Sequence, residues 1–212
     1  MTMKRLLNQT PILIIASVLL VVFFGGSAKH VAAAPDVPVI SDRPLLIYYS
    51  RLGTTRIIAR EIARTIDCEI EEIISNTNRH GLLTINCVFD QLFDLDDDVV
   101  PLYREVKNYN PIIIAGPIWI HRFASPLRTL LKTLDLRDKN VFVIVTNQGN
   151  YSEKDENNVT ASLTERGAII RGFASIMTKE KNEWMLRQEA REAAQQLLQV
   201  FPALRKSALN NH

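Results

Sequence analysis

The chain has 212 residues, of which 47% are hydrophobic and 23% charged, and its formal net charge is +2. This length suits one globular domain with a sizeable core. Three of the 25 basic residues, Lys4, Arg5 and Lys29, precede Ala34, so the rest of the chain carries 22 basic and 23 acidic residues and a net charge of −1. Such a near-neutral body argues against nucleic acid as a partner, because that binding depends on clustered lysines and arginines.

The N-terminal segment has the three parts of a secretory signal peptide. Lys4 and Arg5 precede the apolar run of residues 12–24, and small residues follow it. We predict a signal peptide or membrane anchor at residues 1–33 and a flexible lead-in at residues 34–43. The anchor is the alternative because the apolar run and the small residues after it approach the roughly 20 residues that span a bilayer. In either case the basic residues keep the N-terminus on the cytoplasmic side, so the domain is expected outside the cytoplasm. A cleaved protein would be periplasmic or extracellular, and an uncleaved one would be anchored to the membrane.

The first strand and helix are predicted on either side of a hydroxyl-rich turn. Residues 45–49 form a continuous apolar run, as in a parallel strand covered on both faces, and isoleucines at helical spacing follow the turn. Ser50, Thr54 and Thr55 offer hydroxyl groups there, and Gly53 allows close approach of the backbone. Together with the N–H groups and the positive dipole end of the helix, these residues predict a phosphate site. The alternative is an ordinary connection in which Thr54 caps the helix.

The next segment is less regular. Residues 68–74 are predicted to form the second strand, and residues 81–93 a helix or an irregular cover. Residues 94–98 contain four aspartates, which we interpret as a solvated acidic loop, with metal binding as the less favoured alternative. Cys68 and Cys87 could form a disulfide after export or remain buried free thiols, and their spacing does not indicate a metal site.

A third strand pattern runs into a loop that carries a large aromatic residue. Residues 111–121 begin as a buried apolar strand and run into the loop that contains Trp119. Pro126 then lies in the first turn of a helix whose leucines at 127, 130, 131 and 134 share one face. Trp119 therefore falls at the carboxyl end of a strand, where ligands bind in open α/β sheets. It could cover a flat ring there or simply pack into the core.

The remaining elements continue the alternation of strands and helices. They are a strand at residues 141–145, a helix at residues 153–166, a strand at residues 168–176 that Gly172 interrupts, and a helix at residues 183–201. The last helix is amphipathic, and the residues on its apolar face are Leu186, Ala190, Ala193 and Leu197. Regular alternation predicts an α/β fold with a parallel sheet. The sequence shows no second domain for NAD(P)H.

Three loops at the ends of these strands resemble those of the flavodoxin family, in the same order. They are residues 49–55, residues 116–119 and residues 146–149. The resemblance implies a flavodoxin-like, doubly wound, five-stranded parallel sheet with helices on both faces, over residues 44–205, followed by a tail at residues 206–212. It also implies FMN as the cofactor.

The resemblance assigns an FMN site to these loops. The first loop would hold the phosphate, the second would flank the isoalloxazine ring with Trp119 stacked on it, and the backbone of the third would meet the polar edge of the ring. Thr54 stands where the family often has asparagine, and Asn147 and Gln148 are bulkier than the small residues that many relatives have. The expected site residues are Ser50, Arg51, Leu52, Gly53, Thr54 and Thr55, then Pro117, Ile118, Trp119, Ile120 and His121, and finally Thr146, Asn147, Gln148 and Gly149.

Three basic side chains in or beside these loops each have two interpretations. His121 and Arg122 could meet a substrate or stabilise reduced, anionic flavin. We favour a solvated pair, because the sequence shows no group that would orient His121. Arg51 could reach a phosphate or a partner, or point into water.

The expected function is FMN-dependent electron transfer or oxidoreduction outside the cytoplasm. Reduction of quinones by NAD(P)H is one candidate reaction, and a role as an electron carrier is the other. The partner would be a redox protein or a small-molecule acceptor, and the membrane would be met only through an uncleaved N-terminal segment. The near-neutral charge favours the small molecule, because strongly acidic flavodoxins dock on basic redox partners. The alternative is an exported flavodoxin-like binding or interaction domain that has lost FMN.

Overall fold

The computed structural model describes Ser41, residues 43–76 and residues 96–204. The predictions for residues 1–33, nearly all of residues 34–43, residues 81–93, Cys87 and the tail at residues 206–212 lie outside the described residues.

A parallel sheet forms the centre of the fold. Its strands are β1 (Leu45–Tyr48), β2 (Glu69–Glu72), β3 (Ile112–Trp119), β4 (Arg122–Phe123), β5 (Asn140–Asn147) and β6 (Ile169–Met177). The five longer strands are all parallel, in the order β2, β1, β3, β5, β6. When the five parallel strands are numbered without β4, their order is 2-1-3-4-5, which is the order of flavodoxin-like sheets. The predicted fold class is therefore confirmed. The two-residue β4, which pairs antiparallel with β3, was not predicted because so short a strand has no sequence period.

Helices cover both faces of the sheet. Helices α1 (Thr54–Ile66) and α4 (Glu183–Val200) pack on one face, and α2 (Ser125–Thr133) and α3 (Glu153–Thr164) pack on the other. Each helix turns an apolar stripe to the sheet. On α4 this stripe includes the predicted Leu186, Ala190, Ala193 and Leu197, all of them buried. A short 3-10 helix, Val106–Asn108, precedes β3. Among the helices of the described residues, none is both long and apolar enough to cross a bilayer.

Gly172 marks an irregularity in β6. The register with β5 shifts there, because Val141 pairs with Ile170 whereas Phe142 pairs with Gly172. A Cβ atom on Gly172 would lie 2.5 Å from the Phe142 ring. The missing side chain therefore makes room for the ring, and the strand continues through the predicted interruption.

The interpretation of residues 94–98 as a solvated loop is wrong for Asp97. Asp97 is buried, and its Oδ1 accepts a hydrogen bond of 2.8 Å from the Ser75 hydroxyl. Its N–H donates to Thr129 Oγ1, also at 2.8 Å. Asp97 therefore links the chain that follows β2 to α2.

Cys68, which precedes β2, is a buried free thiol. Burial raises the pKa of this thiol to about 12, so it stays protonated and unreactive at neutral pH. The alternative prediction of a disulfide also concerns Cys87, which lies outside the described residues.

Candidate functional site

The first predicted loop leads into a helix N-terminus without a side-chain cap. The buried Ser50 follows β1, and its Oγ accepts a hydrogen bond of 3.2 Å from the Gly53 N–H. Gly53 precedes α1 at φ 92°, a left-handed conformation that glycine adopts without strain. Thr54 is the first helical residue, so the alternative in which it caps the helix is wrong. The first turn has neither a capping side chain nor an acidic residue, which leaves its N–H groups suited to an anion.

A buried hydrogen bond joins the first loop to the third. Thr55, on α1, and Thr146, near the end of β5, bring their hydroxyl oxygens to 2.9 Å. Both side chains are buried. A hydroxyl group donates one hydrogen bond and accepts two. If Thr146 donates to Thr55, the Thr55 proton remains available to a ligand.

Trp119, at the end of β3, has an aromatic and a cationic neighbour. The Tyr49 ring meets it edge-on, with centroids 6.2 Å apart and planes at 84°. The guanidinium carbon of Arg51 lies 5.9 Å from the Trp119 centroid, within the range of a cation–π attraction. Arg51 therefore does not merely point into water, and its expected contact with a phosphate or a partner stays a prediction.

The third loop is held against β6 and the residue that follows it. Asn147 Nδ2 donates to Ser175 Oγ at 2.9 Å, and Gln148 Nε2 donates to Thr178 Oγ1 at 2.8 Å. The N–H of Thr178 donates in turn to the Asn147 carbonyl at 2.8 Å. Asn147 Oδ1 accepts from the Gly149 N–H, also at 2.8 Å. These bonds fix both bulky amide side chains and so define the shape of the loop.

The three loops meet in one open cleft of about 270 Å³. It lies at the carboxyl ends of β1, β3 and β5, beside the pair of strands where the chain order reverses. This is the usual ligand position in open α/β sheets. None of the described residues that line it is acidic, and Arg51 is the basic one. The lining residues are Arg51, Leu52, Thr54, Thr55, Pro117, Ile118, Trp119, Thr146, Asn147, Gln148 and Thr178.

All lining residues except Thr178 were expected from the sequence. Thr178 follows the fifth parallel strand, whose end was not matched to a family loop. Four expected residues lie in the loops but not in the wall of the cleft, namely Gly53, Ile120, His121 and Gly149, and Ser50 is buried beneath the first loop.

The structure gives His121 an orienting partner that the sequence reasoning missed. Its Nδ1 lies 2.9 Å from Oδ1 of the buried Asp155, in the first turn of α3. Both the N–H and the hydroxyl of Ser152 donate to the other Asp155 oxygen, each at 2.6 Å. Burial alone would raise the pKa of Asp155, but the hydrogen bonds from Ser152 and His121 outweigh it and lower the pKa. The interpretation of His121 as a merely solvated side chain is therefore wrong.

A second cavity, of about 260 Å³, lies beside β4, α2 and α3. Four basic residues line it, namely Arg122, Arg128, Lys132 and Arg166. Its helical lining comes from the middle and the carboxyl ends of the two helices, so no helix N-terminus opens into it. We therefore place the candidate site in the first cleft. Within residues 43–76 and 96–204, no group of three or more His, Cys, Asp or Glu side chains could hold a metal ion.

No protein-family model matches the sequence, and no curated protein matches it. Solved structures match in fold. A flavoprotein from Lactobacillus acidophilus NCFM, determined in complex with FMN, is 21% identical with a TM-score of 0.51, over 64% of this chain and 93% of that one. Putative flavoproteins from Bacteroides eggerthii DSM 20697 and Bacteroides uniformis ATCC 8492 are 16% and 19% identical, each with a TM-score of 0.54. The matches cover 72% and 70% of this chain and 98% and 97% of theirs. Together with the strand order, this likeness shows that the chain has the flavodoxin-like fold.

Proposed function

We propose that this protein binds FMN in the first cleft and acts in electron transfer or flavin-dependent oxidoreduction. One observation carries the proposal: an uncapped helix N-terminus and the Trp119 indole meet in a cleft with no acidic residue among its described lining. The flavoprotein from L. acidophilus, which was determined with FMN, supports this choice of ligand.

The residues of the cleft fit the two ends of the FMN molecule. The N–H groups at the start of α1 and the Thr54 hydroxyl suit a phosphate, and Arg51 adds positive charge. Trp119 offers a flat apolar surface to the ring, and the backbone around Gln148 offers polar groups to its edge. Bound FMN would supply one- or two-electron chemistry. The protein residues would bind and orient it.

Titration of the purified full-length protein with FMN and with riboflavin tests the proposal. We expect FMN to bind at micromolar concentrations or below, and more tightly than riboflavin, because only FMN carries the phosphate that the start of α1 would hold. Failure to bind FMN under these conditions would refute the proposal. Equal affinities for both flavins would refute the phosphate assignment.

A matched pair of threonine substitutions on α1 tests the phosphate end more directly. Thr54→Val removes a hydroxyl group that lines the cleft, whereas Thr65→Val removes one at the other end of the same helix. We expect Thr54→Val to weaken FMN binding by about threefold to tenfold and to leave riboflavin binding unchanged. Thr65→Val should change neither. If Thr65→Val weakened FMN binding as much as Thr54→Val, the effect would be an indirect one through the helix and would not support a contact between Thr54 and the phosphate.

The second candidate function is a flavodoxin-like interaction domain without FMN. The contact between Arg51 and Trp119 favours it, because the guanidinium group lies close to the indole that a flavin ring would need. Flavin content separates the two candidates. Yellow protein that releases FMN on denaturation supports the flavoprotein, and colourless protein that also rejects added FMN supports the interaction domain.

We also propose that the reaction is reduction of a small-molecule acceptor such as a quinone, with NAD(P)H as the electron donor. The near-neutral charge of the chain after Ala34 supports this choice over docking with a basic redox protein. Quinone-dependent oxidation of NAD(P)H by the FMN-loaded protein is the expected result. A protein that exchanges electrons only with another redox protein would instead be a carrier.

The N-terminal sequence supports a further proposal, that the domain acts outside the cytoplasm. Lys4 and Arg5 followed by the apolar run at residues 12–24 are typical of an export signal. Cell fractionation and N-terminal sequencing of the native protein provide the test. Cleavage between Ala28 and Ala34, or an intact chain in the membrane fraction, is expected. An intact chain in the cytosol would contradict export.

A further inference from the structure

The turn that follows Trp119 has an unusual backbone. Trp119 and Arg122 pair across β3 and β4, and Ile120 and His121 form the two-residue turn between them. Both turn residues have positive φ, 45° for Ile120 and 63° for His121. Such turns normally use glycine, asparagine or aspartate, and a β-branched residue is particularly unfavourable there. Histidine tolerates positive φ, but Ile120 does not favour this conformation, so contacts from elsewhere must support the turn.

Two residues of α3 provide such contacts. Asp155 Oδ1 lies 2.9 Å from His121 Nδ1, and Asn158 Nδ2 donates a hydrogen bond of 3.0 Å to the His121 carbonyl oxygen. The side chain and the backbone of His121 are thus both held by one helix. We call His121, Asp155 and Asn158 the hairpin clasp.

Asp155 is a firm anchor for this clasp. It is buried, and the Ser152 N–H and hydroxyl group occupy its second oxygen. An ionised carboxylate only accepts hydrogen bonds, so the contact requires a proton on Nδ1 of His121. The hydrogen bond between His121 and Asp155 therefore depends on the N–H donor at Nδ1.

We propose that His121 is a positioning residue that holds the Trp119 indole in the cleft through the hairpin clasp. Trp119 lies only two residues before His121, and a turn with both residues at positive φ would relax if its outside contacts were lost. The inference rests on the proposed function where it names flavin as the ring that Trp119 stacks on. The fixed position of the indole itself can be measured without flavin.

Two substitutions of His121 test the hydrogen bond to Asp155. In His121→Asn the amide Nδ2 is bonded to Cγ, as Nδ1 is in histidine, so it can donate to Asp155. His121→Asp is nearly isosteric with His121→Asn, but when ionised it has no donor and also brings a second negative charge towards Asp155, so Asn158→Ala below supplies the test without a change of charge. Asparagine and aspartate both tolerate positive φ, so the backbone preference is matched. Lys154→Gln, on an exposed neighbour in the same helix turn, is the control.

The first readout uses Trp119 fluorescence in the flavin-free, full-length protein. Trp184, the other tryptophan and an exposed one, is replaced by phenylalanine in every variant, so that Trp119 is the only tryptophan that emits. We expect acrylamide to quench Trp119 more strongly in His121→Asp than in the parent, and equally in the parent, His121→Asn and Lys154→Gln. The second readout is FMN affinity, which we expect to fall about tenfold in His121→Asp and to stay within about twofold in His121→Asn.

Asn158→Ala is a second variant that leaves the turn sequence intact. It removes the bond to the His121 carbonyl while placing a good helix former in α3, so folding should be preserved. We expect it to increase quenching of Trp119 as well. Equal quenching in all variants would overturn the proposal, as would a loss in His121→Asn as large as that in His121→Asp. If the parent protein binds no FMN, the proposed function fails, but the quenching series still decides whether the clasp holds Trp119.

Discussion

Glu61 offers a quantitative test of how the two helices on one face of the sheet are joined. It lies on α1, its side chain is 1% exposed, and it makes ion pairs of 2.8, 2.9 and 2.7 Å with Arg64, Arg187 and Arg191. Two of these arginines belong to α4. We predict that Glu61→Gln destabilises the protein, because it removes the charge on which all three contacts depend.

The magnitude follows from the pKa of this carboxyl group. Burial alone would raise the pKa of Glu61, but hydrogen bonds from the three arginines outweigh it and lower the pKa from 4.5 to about 2. A difference of about 2.5 pH units between the unfolded and folded states corresponds to about 3 kcal/mol. The arginine side chains are 71%, 38% and 43% exposed, so water screens the pairs. We therefore expect a loss of about 1–3 kcal/mol at neutral pH.

The pH dependence distinguishes this effect from a change in packing. Because the pKa is lower in the folded state, the stabilisation is complete above pH 4.5 and is lost as the pH falls towards 2. Urea unfolding of both proteins at a series of pH values should show the difference shrinking over that range. Glu183→Gln, which removes an exposed partner of Arg187, should cost less than about 0.5 kcal/mol. A difference for Glu61→Gln that is the same at neutral and at acid pH would refute the reasoning.

Three further predictions concern the sheet and the cleft. Gly172→Ala should lower the free energy of unfolding by about 1–3 kcal/mol, because the new Cβ would meet the buried Phe142 ring; an unchanged urea midpoint would contradict this. Thr146→Val should lower the free energy of unfolding by about 1–3 kcal/mol, since it leaves the buried Thr55 hydroxyl without its partner. Thr146→Ser keeps a hydroxyl group, so it should cost much less in the same unfolding assay. Trp119→Ala should weaken FMN and riboflavin binding alike, by up to about tenfold, and reduce quenching of flavin fluorescence; unchanged affinity and spectra would exclude stacking.

The sequence predicted those parts of the fold that depend on local pattern. Continuous apolar runs identified the buried strands, and leucines and alanines at helical spacing identified the inner faces of α2 and α4. Since parallel strands place their carboxyl ends at one edge of the sheet, the order of the strands is enough to group the three loops. That grouping explains why nearly the whole lining of the cleft was expected.

The contacts missed from the sequence join residues far apart in the chain. Asp155 is 34 residues from His121, and Thr178 is 30 residues from Gln148. No period or motif indicates such a pair, because it depends on how helices and strands pack after they form. The buried Asp97 was misjudged for the same reason, since its hydrogen-bond partners lie 22 and 32 residues away. Short-range sequence pattern therefore predicted the position of the cleft. The hydrogen bonds that fix its loops became visible only in the packed structure.

The rim of the cleft bears on the choice between a carrier and an enzyme. Leu52 in the first loop is 82% exposed, Ile120 beyond Trp119 is 45% exposed, and Met177 at the end of β6 is 43% exposed. Arg51 is the charged residue of the described lining. Among the described residues that line the cleft, a basic redox protein would meet no carboxylate to steer its approach, whereas a neutral or anionic organic acceptor would meet apolar side chains and one cation. If the protein binds FMN as proposed, the described lining would favour a small molecule as the electron acceptor, for the same electrostatic reason as the near-neutral charge of the chain after Ala34.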